Sequence, residues 1–100
     1  MQKIKNARKL QAERYKDKSI KNNAELELKD IEKYCILDEA SKKTLKQAVE
    51  NLNLSMRGYI RLMRVARTLA DLNNHHEIKN NDLIEAIDFR WYAEKSEMLI

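Results

Sequence analysis

Residues 54–72 read LSMRGYIRLMRVARTLADL. Stepping by about 100° per residue places Tyr59, Leu62, Met63, Ala66, Leu69 and Ala70 in one arc, with Val65 at its margin. Arg57, Arg61, Arg64, Thr68 and Asp71 fall on the opposite side. Ser55 stands where an N-cap hydroxyl is needed, and Asn53 marks the break before it. The stretch is an amphipathic helix, and its apolar face requires other helices to cover it.

The flanking sequence supplies them. Asp38 is placed to cap a helix reaching about Leu52, in which Leu45, Ala48, Val49 and Leu52 keep helical spacing. A shorter helix is expected over residues 29–35, with Leu28, Ile31 and either Tyr34 or Cys35 turned inward. Residues 17–27 are polar and irregular, and Lys21-Asn22-Asn23 reads as loop. Residues 2–16 predict a helix with a weak apolar stripe of Ile4, Ala7, Leu10 and Tyr15, marginal alone and in need of a surface to pack on, which a part of the protein outside this chain could supply. Downstream, residues 73–76 read as a turn. A last helix is expected from about residue 80 to 92 or 93, with Ile78 and Leu83 as its hydrophobic staple. Leu83, Ala86, Ile87 and Arg90 share a face there, and Phe89, Trp91 and Tyr92 add bulk. Residues 94–100 show no clear pattern and are expected to fray.

One hundred residues make one domain. With no proline and a single glycine, Gly58, the chain lacks the punctuation that hairpins need. The expected fold is all-α, a bundle of four to five helices. Its parts are a basic N-terminal helix and linker (1–27), a helical domain (28–93) and a tail (94–100). Cys35 is the only cysteine, so no disulfide forms within the chain. That suits a reducing, cytoplasmic setting, and its apolar neighbours favour burial over reactivity. Nothing reads as a signal peptide or a membrane span.

The net charge of +4 is unevenly placed: residues 1–22 carry +6 and the remainder −2. Lys3, Lys5, Arg8, Lys9 and Arg14 are candidate phosphate contacts for a nucleic acid. A solvated face, or one meeting an acidic partner domain, is the alternative. The first turn after Ser55 carries the sharper signal. A cation at the positive end of a helix dipole and a glycine inside a helix both oppose local stability, which tends to mark a functional position. Backbone N–H groups near Gly58 and the Arg57 guanidinium can converge on one anion, with Arg61 reinforcing them a turn later. The plain alternative is that Arg57 and Arg61 are solvated or salt-bridged. Arg64, Arg67 and Asp71 are expected to orient the helix, with Arg67 and Asp71 pairing four residues apart. Adjacent His75 and His76 do not make a metal site, and no acid/base pair or nucleophile constellation is present.

Taken with the EAIDFR of residues 85–90, residues 54–72 resemble the C-terminal domain of the magnesium-chelatase-related AAA+ ATPases, the ComM-like competence protein family. The family pattern is approximately LSxRxYxRxxxVARTxADL followed by an EAxxYR-like close. ARKLQAER at residues 7–14 and CILDEASKKTLKQAVENL at residues 35–52 fit its upstream segments. Phe89 stands where tyrosine is usual. Lys79 stands where an N-capping serine or threonine is common, so the cap is expected to slip to Asn80. The resemblance implies a helical lid beside a nucleotide, with Arg57 as the sensor-2 residue and Gly58 and Arg61 near the phosphates. It implies ATP and Mg2+ in a parent enzyme, and as partners that enzyme's AAA+ core and neighbouring subunits of a hexameric ring that moves DNA. No GxxxxGK[ST] loop or acidic Walker-B strand occurs here, so the chain alone is expected to bind no cofactor and to hydrolyse no ATP.

Overall fold

The computed structural model describes the backbone of residues 2–99 and the side chains of residues 2–89. Among them are five helices and no strand. These are α1 (Gln2–Arg14), α2 (Leu28–Tyr34), α3 (Glu39–Leu52), α4 (Met56–Leu72) and α5 (Asn80–Leu99), with one 3₁₀ turn at Asn23–Glu25.

Caps set most of these boundaries. Asp38 Oδ1 accepts from the Ser41 N–H at 2.8 Å, and Ser55 Oγ accepts from the Gly58 N–H at 3.1 Å. Three non-glycine residues adopt positive φ at or just beyond helix ends: Asp17 (62°), Asn53 (51°) and Asn74 (60°). Asparagine and aspartate take this conformation most readily after glycine, and the chain's one glycine lies inside α4. Beyond α4 a Schellman closure forms, with the Asn74 N–H on the Asp71 carbonyl at 3.0 Å and the His75 N–H on the Ala70 carbonyl at 2.7 Å.

Helix α5 does not begin with a slipped cap. Asp82 Oδ2 reaches back to accept the Lys79 N–H at 3.0 Å, and the Lys79 carbonyl takes the first helical bond from Leu83. The expected staple residues Ile78 and Leu83 are both fully buried in one core. At its other end α5 continues to Leu99, past the expected stop. Residues 93–99 include no glycine or proline and several good helix formers, so nothing local ends the helix where the apolar pattern fades. The inward roles expected of Arg90, Trp91 and Tyr92 lie outside the described side chains.

Helix α4 is the hub, packing against α1, α2, α5 and the 3₁₀ turn. Leu62, Met63, Ala66 and Ala70 form the centre of the core, as the periodicity predicts. Four details differ from expectation. Leu28 is 42% exposed, and Leu26, two residues earlier, is fully buried in its place. Val49 and Leu52 on α3 remain exposed, and of the four expected residues only Ala48 is fully inside. Asp71 is completely buried rather than on the polar side of α4. Helix α1 needs no outside surface, because it lies on α4 with Ala7 and Tyr15 buried.

A second tie joins the N-terminal ends of α3 and α5. The Ile78 N–H donates to the Ile36 carbonyl at 2.7 Å, and the Ser41 hydroxyl donates to the Ile78 carbonyl at 3.0 Å. Thr44 Oγ1 donates to Asn80 Oδ1 alongside.

Candidate functional site

The four arginines of α4 divide into two pairs. Arg67 is 1% exposed. Its Nη1 donates to the carbonyls of Tyr34 (3.1 Å) and His76 (3.0 Å), and its Nη2 to that of His75 (2.8 Å). It thereby clamps the end of α2 and the turn before α5 to α4. Burial opposes its charge and holds its pKa below the ordinary arginine value, although Asp71, 3.1 Å away, works the other way. Its Nε is buried without a hydrogen-bond partner among the described residues. Arg64 ties down the 3₁₀ segment, with Nε donating to the Leu26 carbonyl at 2.8 Å and Nη2 lying 3.6 Å from Glu27.

Asp71 is the acceptor that makes this burial tolerable. Arg14 meets it with two parallel bonds, Nη2 to Oδ1 at 2.6 Å and Nη1 to Oδ2 at 3.0 Å. Asn23 Nδ2 adds a third bond, to Oδ2, at 2.9 Å. Asn23 in turn accepts from the Tyr15 hydroxyl at 2.6 Å, and its backbone N–H donates to Gln11 Oε1 at 3.1 Å. Burial disfavours the Arg14 charge, yet the bonds to Asp71 and Tyr15 outweigh it and raise the pKa. Sequence reasoning missed Gln11, Tyr15 and Asn23 as parts of one network. The available signal was Gln11 and Arg14 sharing one face of α1, three residues apart.

Arg57 and Arg61 form the other pair. Both are exposed, and among the described residues neither lies within ion-pair distance of a carboxylate. Arg57 occupies the first turn of α4. The Gly58 N–H is already taken by Ser55, so the first-turn donors beside Arg57 are those of Met56 and Arg57 itself. Gly58 has ordinary negative φ, so its contribution at this turn is the absent Cβ. A solvated guanidinium beside free N–H groups at a positive dipole end can bind one phosphate oxygen cluster.

The other candidates sort as clearly. Lys3, Lys5, Arg8 and Lys9 are exposed along α1, whereas the Arg14 side chain is 18% exposed and engaged by Asp71. Cys35 is buried, and burial pushes its thiol up to about 11, so it is unreactive near neutrality. His75 Nδ1 lies 2.7 Å from Asp82 Oδ2, and no metal-holding cluster exists among the described residues. Nor is any helix there long and apolar enough to cross a membrane.

The sequence of residues 1–90 matches the family of the magnesium chelatase subunit ChlI C-terminal domain, and the chain belongs to that family. It is 37% identical over 89 residues to the competence protein ComM of Haemophilus influenzae, covering 89% of this chain and 17% of that protein. It is 40% identical over 70 residues to the uncharacterized protein YifB of Salmonella typhimurium, covering 70% of this chain and 14% of YifB. The chain thus spans 14–17% of the length of these curated relatives. No solved structure matches it.

Proposed function

We propose that this chain is the helical lid of a ComM-like AAA+ ATPase, with Arg57 as its sensor-2 arginine on the terminal phosphate of ATP. The observation carrying this reading is the division among the α4 arginines. Arg64 and Arg67 are consumed by the fold, while Arg57 stands in solvent at the helix origin without a carboxylate partner among the described residues. Gly58 leaves the approach open, and Arg61 adds charge one turn on. ATP, when bound by the AAA+ core of the parent enzyme, supplies the phosphoryl group, and its Mg2+ takes ligands from that core. This domain contributes a cation that senses the phosphate and a rigid bundle that moves with it. Neighbouring subunits of a ring, and DNA as the object moved, are part of the same proposal for the parent enzyme. Replacing Arg57 with alanine in the full-length enzyme is expected to lower ATP turnover by a factor on the order of 10³ with folding unchanged. Undiminished turnover would discard the sensor-2 role.

A second reading rests on Lys3, Lys5, Arg8 and Lys9, which α1 presents to solvent. They suit the backbone of a nucleic acid. Affinity for duplex DNA that falls steeply with added salt, and that drops when these four residues become glutamine, is the expected result.

A further inference from the structure

Helix α1 is held to the bundle chiefly by polar contacts. Along Gln2–Arg14 only Ala7 is buried, and Ile4 is 49% exposed. Gln11 Oε1 accepts the Asn23 N–H at 3.1 Å, and Arg14 grips Asp71. One residue further the chain is anchored differently. Tyr15 is buried, its ring stands edge-on to Tyr34 at 5.1 Å, and its hydroxyl donates to Asn23. Asn23 has its own ties to α4, from Nδ2 to Asp71 Oδ2 at 2.9 Å and to Thr68 Oγ1 at 3.1 Å. The boundary between weakly and strongly held chain therefore falls between Arg14 and Tyr15.

Asp71 stands between two arginines. Oδ1 accepts from Arg14 Nη2 at 2.6 Å, and Arg67 Nη2 lies 3.1 Å from the same oxygen. Oδ2 accepts from Arg14 Nη1 and from Asn23 Nδ2. Nε and Nη2 share one edge of a guanidinium, an edge that can grip a carboxylate with two parallel bonds. On Arg67 the Nε of that edge is buried and unpartnered among the described residues, while Arg14 and Asn23 occupy the neighbouring carboxylate. A buried N–H without a partner bears its full desolvation cost. Departure of Arg14 frees an acceptor beside it.

We propose that α1 is a strap with two positions: docked on α4 through Arg14, and released about the Arg14–Tyr15 junction, with Arg67 Nε taking the Asp71 oxygen that Arg14 gives up. The hand-over keeps Asp71 paired, as a buried carboxylate must be, so α2–α5 stay folded when the strap lifts. Tyr15 remains on Tyr34, and Asn23 continues to hold Oδ2. Two discrete arrangements of one hydrogen-bonded cluster are what a switch requires. Docked, α1 moves with the helix that carries Arg57; released, it moves apart from it. Asp71 lies at the opposite end of α4 from Arg57, so the inference does not depend on the nucleotide reading.

The test is NMR on the ¹⁵N-labelled 100-residue chain. It reads backbone amide exchange at graded low urea and the Nε–Hε resonance of Arg67. In the unaltered chain the α1 amides are expected to exchange about tenfold or more faster than those at the centre of α4. Their opening should depend little on urea, because local release exposes little surface. In Arg14→Ala the Arg67 Hε is expected to move downfield and exchange more slowly, as a newly hydrogen-bonded proton does, with the centre of α4 still protected. Gln11→Ala weakens the strap but leaves Arg14 on Asp71. It should quicken α1 exchange and leave Hε where it was. Exchange in α1 with the same urea dependence as in α4 would overturn the proposal. So would an Hε that stays put in Arg14→Ala, or a bundle that fails to fold without Arg14.

Discussion

Arg57 and Arg67 stand ten positions apart on one helix and do opposite things. Arg67 surrenders its hydration to hold three carbonyls, and only the carboxylate of Asp71 makes that burial affordable. Replacing Asp71 with asparagine keeps the shape but leaves Arg67 as an uncompensated buried charge. The expected loss is about 3–5 kcal/mol, a large part of the stability of a domain this size. Urea unfolding at neutral pH measures it. An unchanged midpoint would mean that the pair is solvated and that α4 is held by apolar packing alone.

Helix α1 shows what a single polar hub does for an element. It is strongly polar, and only Ala7 is buried along its length. In isolation a helix of 13 residues with so little apolar surface is marginal. What holds it is the bidentate Arg14–Asp71 contact at its C-terminal end, with Gln11 on the backbone of Asn23 and Tyr15 just beyond. Replacing Arg14 with alanine should therefore loosen α1 more than the rest. Amide exchange in residues 3–13 is expected to quicken by at least an order of magnitude while the centre of α4 stays protected. Equal acceleration throughout would show that α1 and the bundle open only together.

At the scale of the whole molecule, carboxylates at the joined N-terminal ends of α3 and α5 link stability to pH. Burial pushes the Asp82 carboxyl up, but bonds from His75, Asn73 and the Lys79 N–H outweigh it and hold its pKa below the ordinary value. Asp38 is lowered by its bonds to Ser41. For both, the folded state favours the ionised form. Their contribution is present above the unfolded carboxylate pKa of about 4 and is lost as pH falls through the folded values. Cys35 has the opposite sense: its neutral thiol is favoured, and that contribution erodes as pH rises from the unfolded value toward about 11. Urea midpoints across the pH range are expected to fall on both limbs. Asp82→Asn should flatten the acid limb, and Cys35→Ala the alkaline one. An acid limb untouched by Asp82→Asn would contradict the hydrogen-bonded carboxylate described here.

Most of the helices were legible because their causes are local. Apolar residues at helical spacing, Asp38 and Ser55 at N-caps, and Asn53 at a break each act within a turn or two of chain. The α4 core and the Ile78–Leu83 staple could be read the same way. The division of labour among the arginines could not. Arg57, Arg61 and Arg64 look alike in a helical projection, Arg67 falls at the border of the apolar arc, and Asp71 projects to the polar side. Their fates were decided by which carbonyls and side chains distant segments brought to them: Tyr34, the 73–76 turn, Leu26, and Arg14 from 57 residues away. A buried charge is tolerated only where several partners converge, and convergence is a property of the folded chain. The same reason separates Leu26 from Leu28, since neighbouring apolar residues in an irregular segment differ only in which of them the bundle reaches.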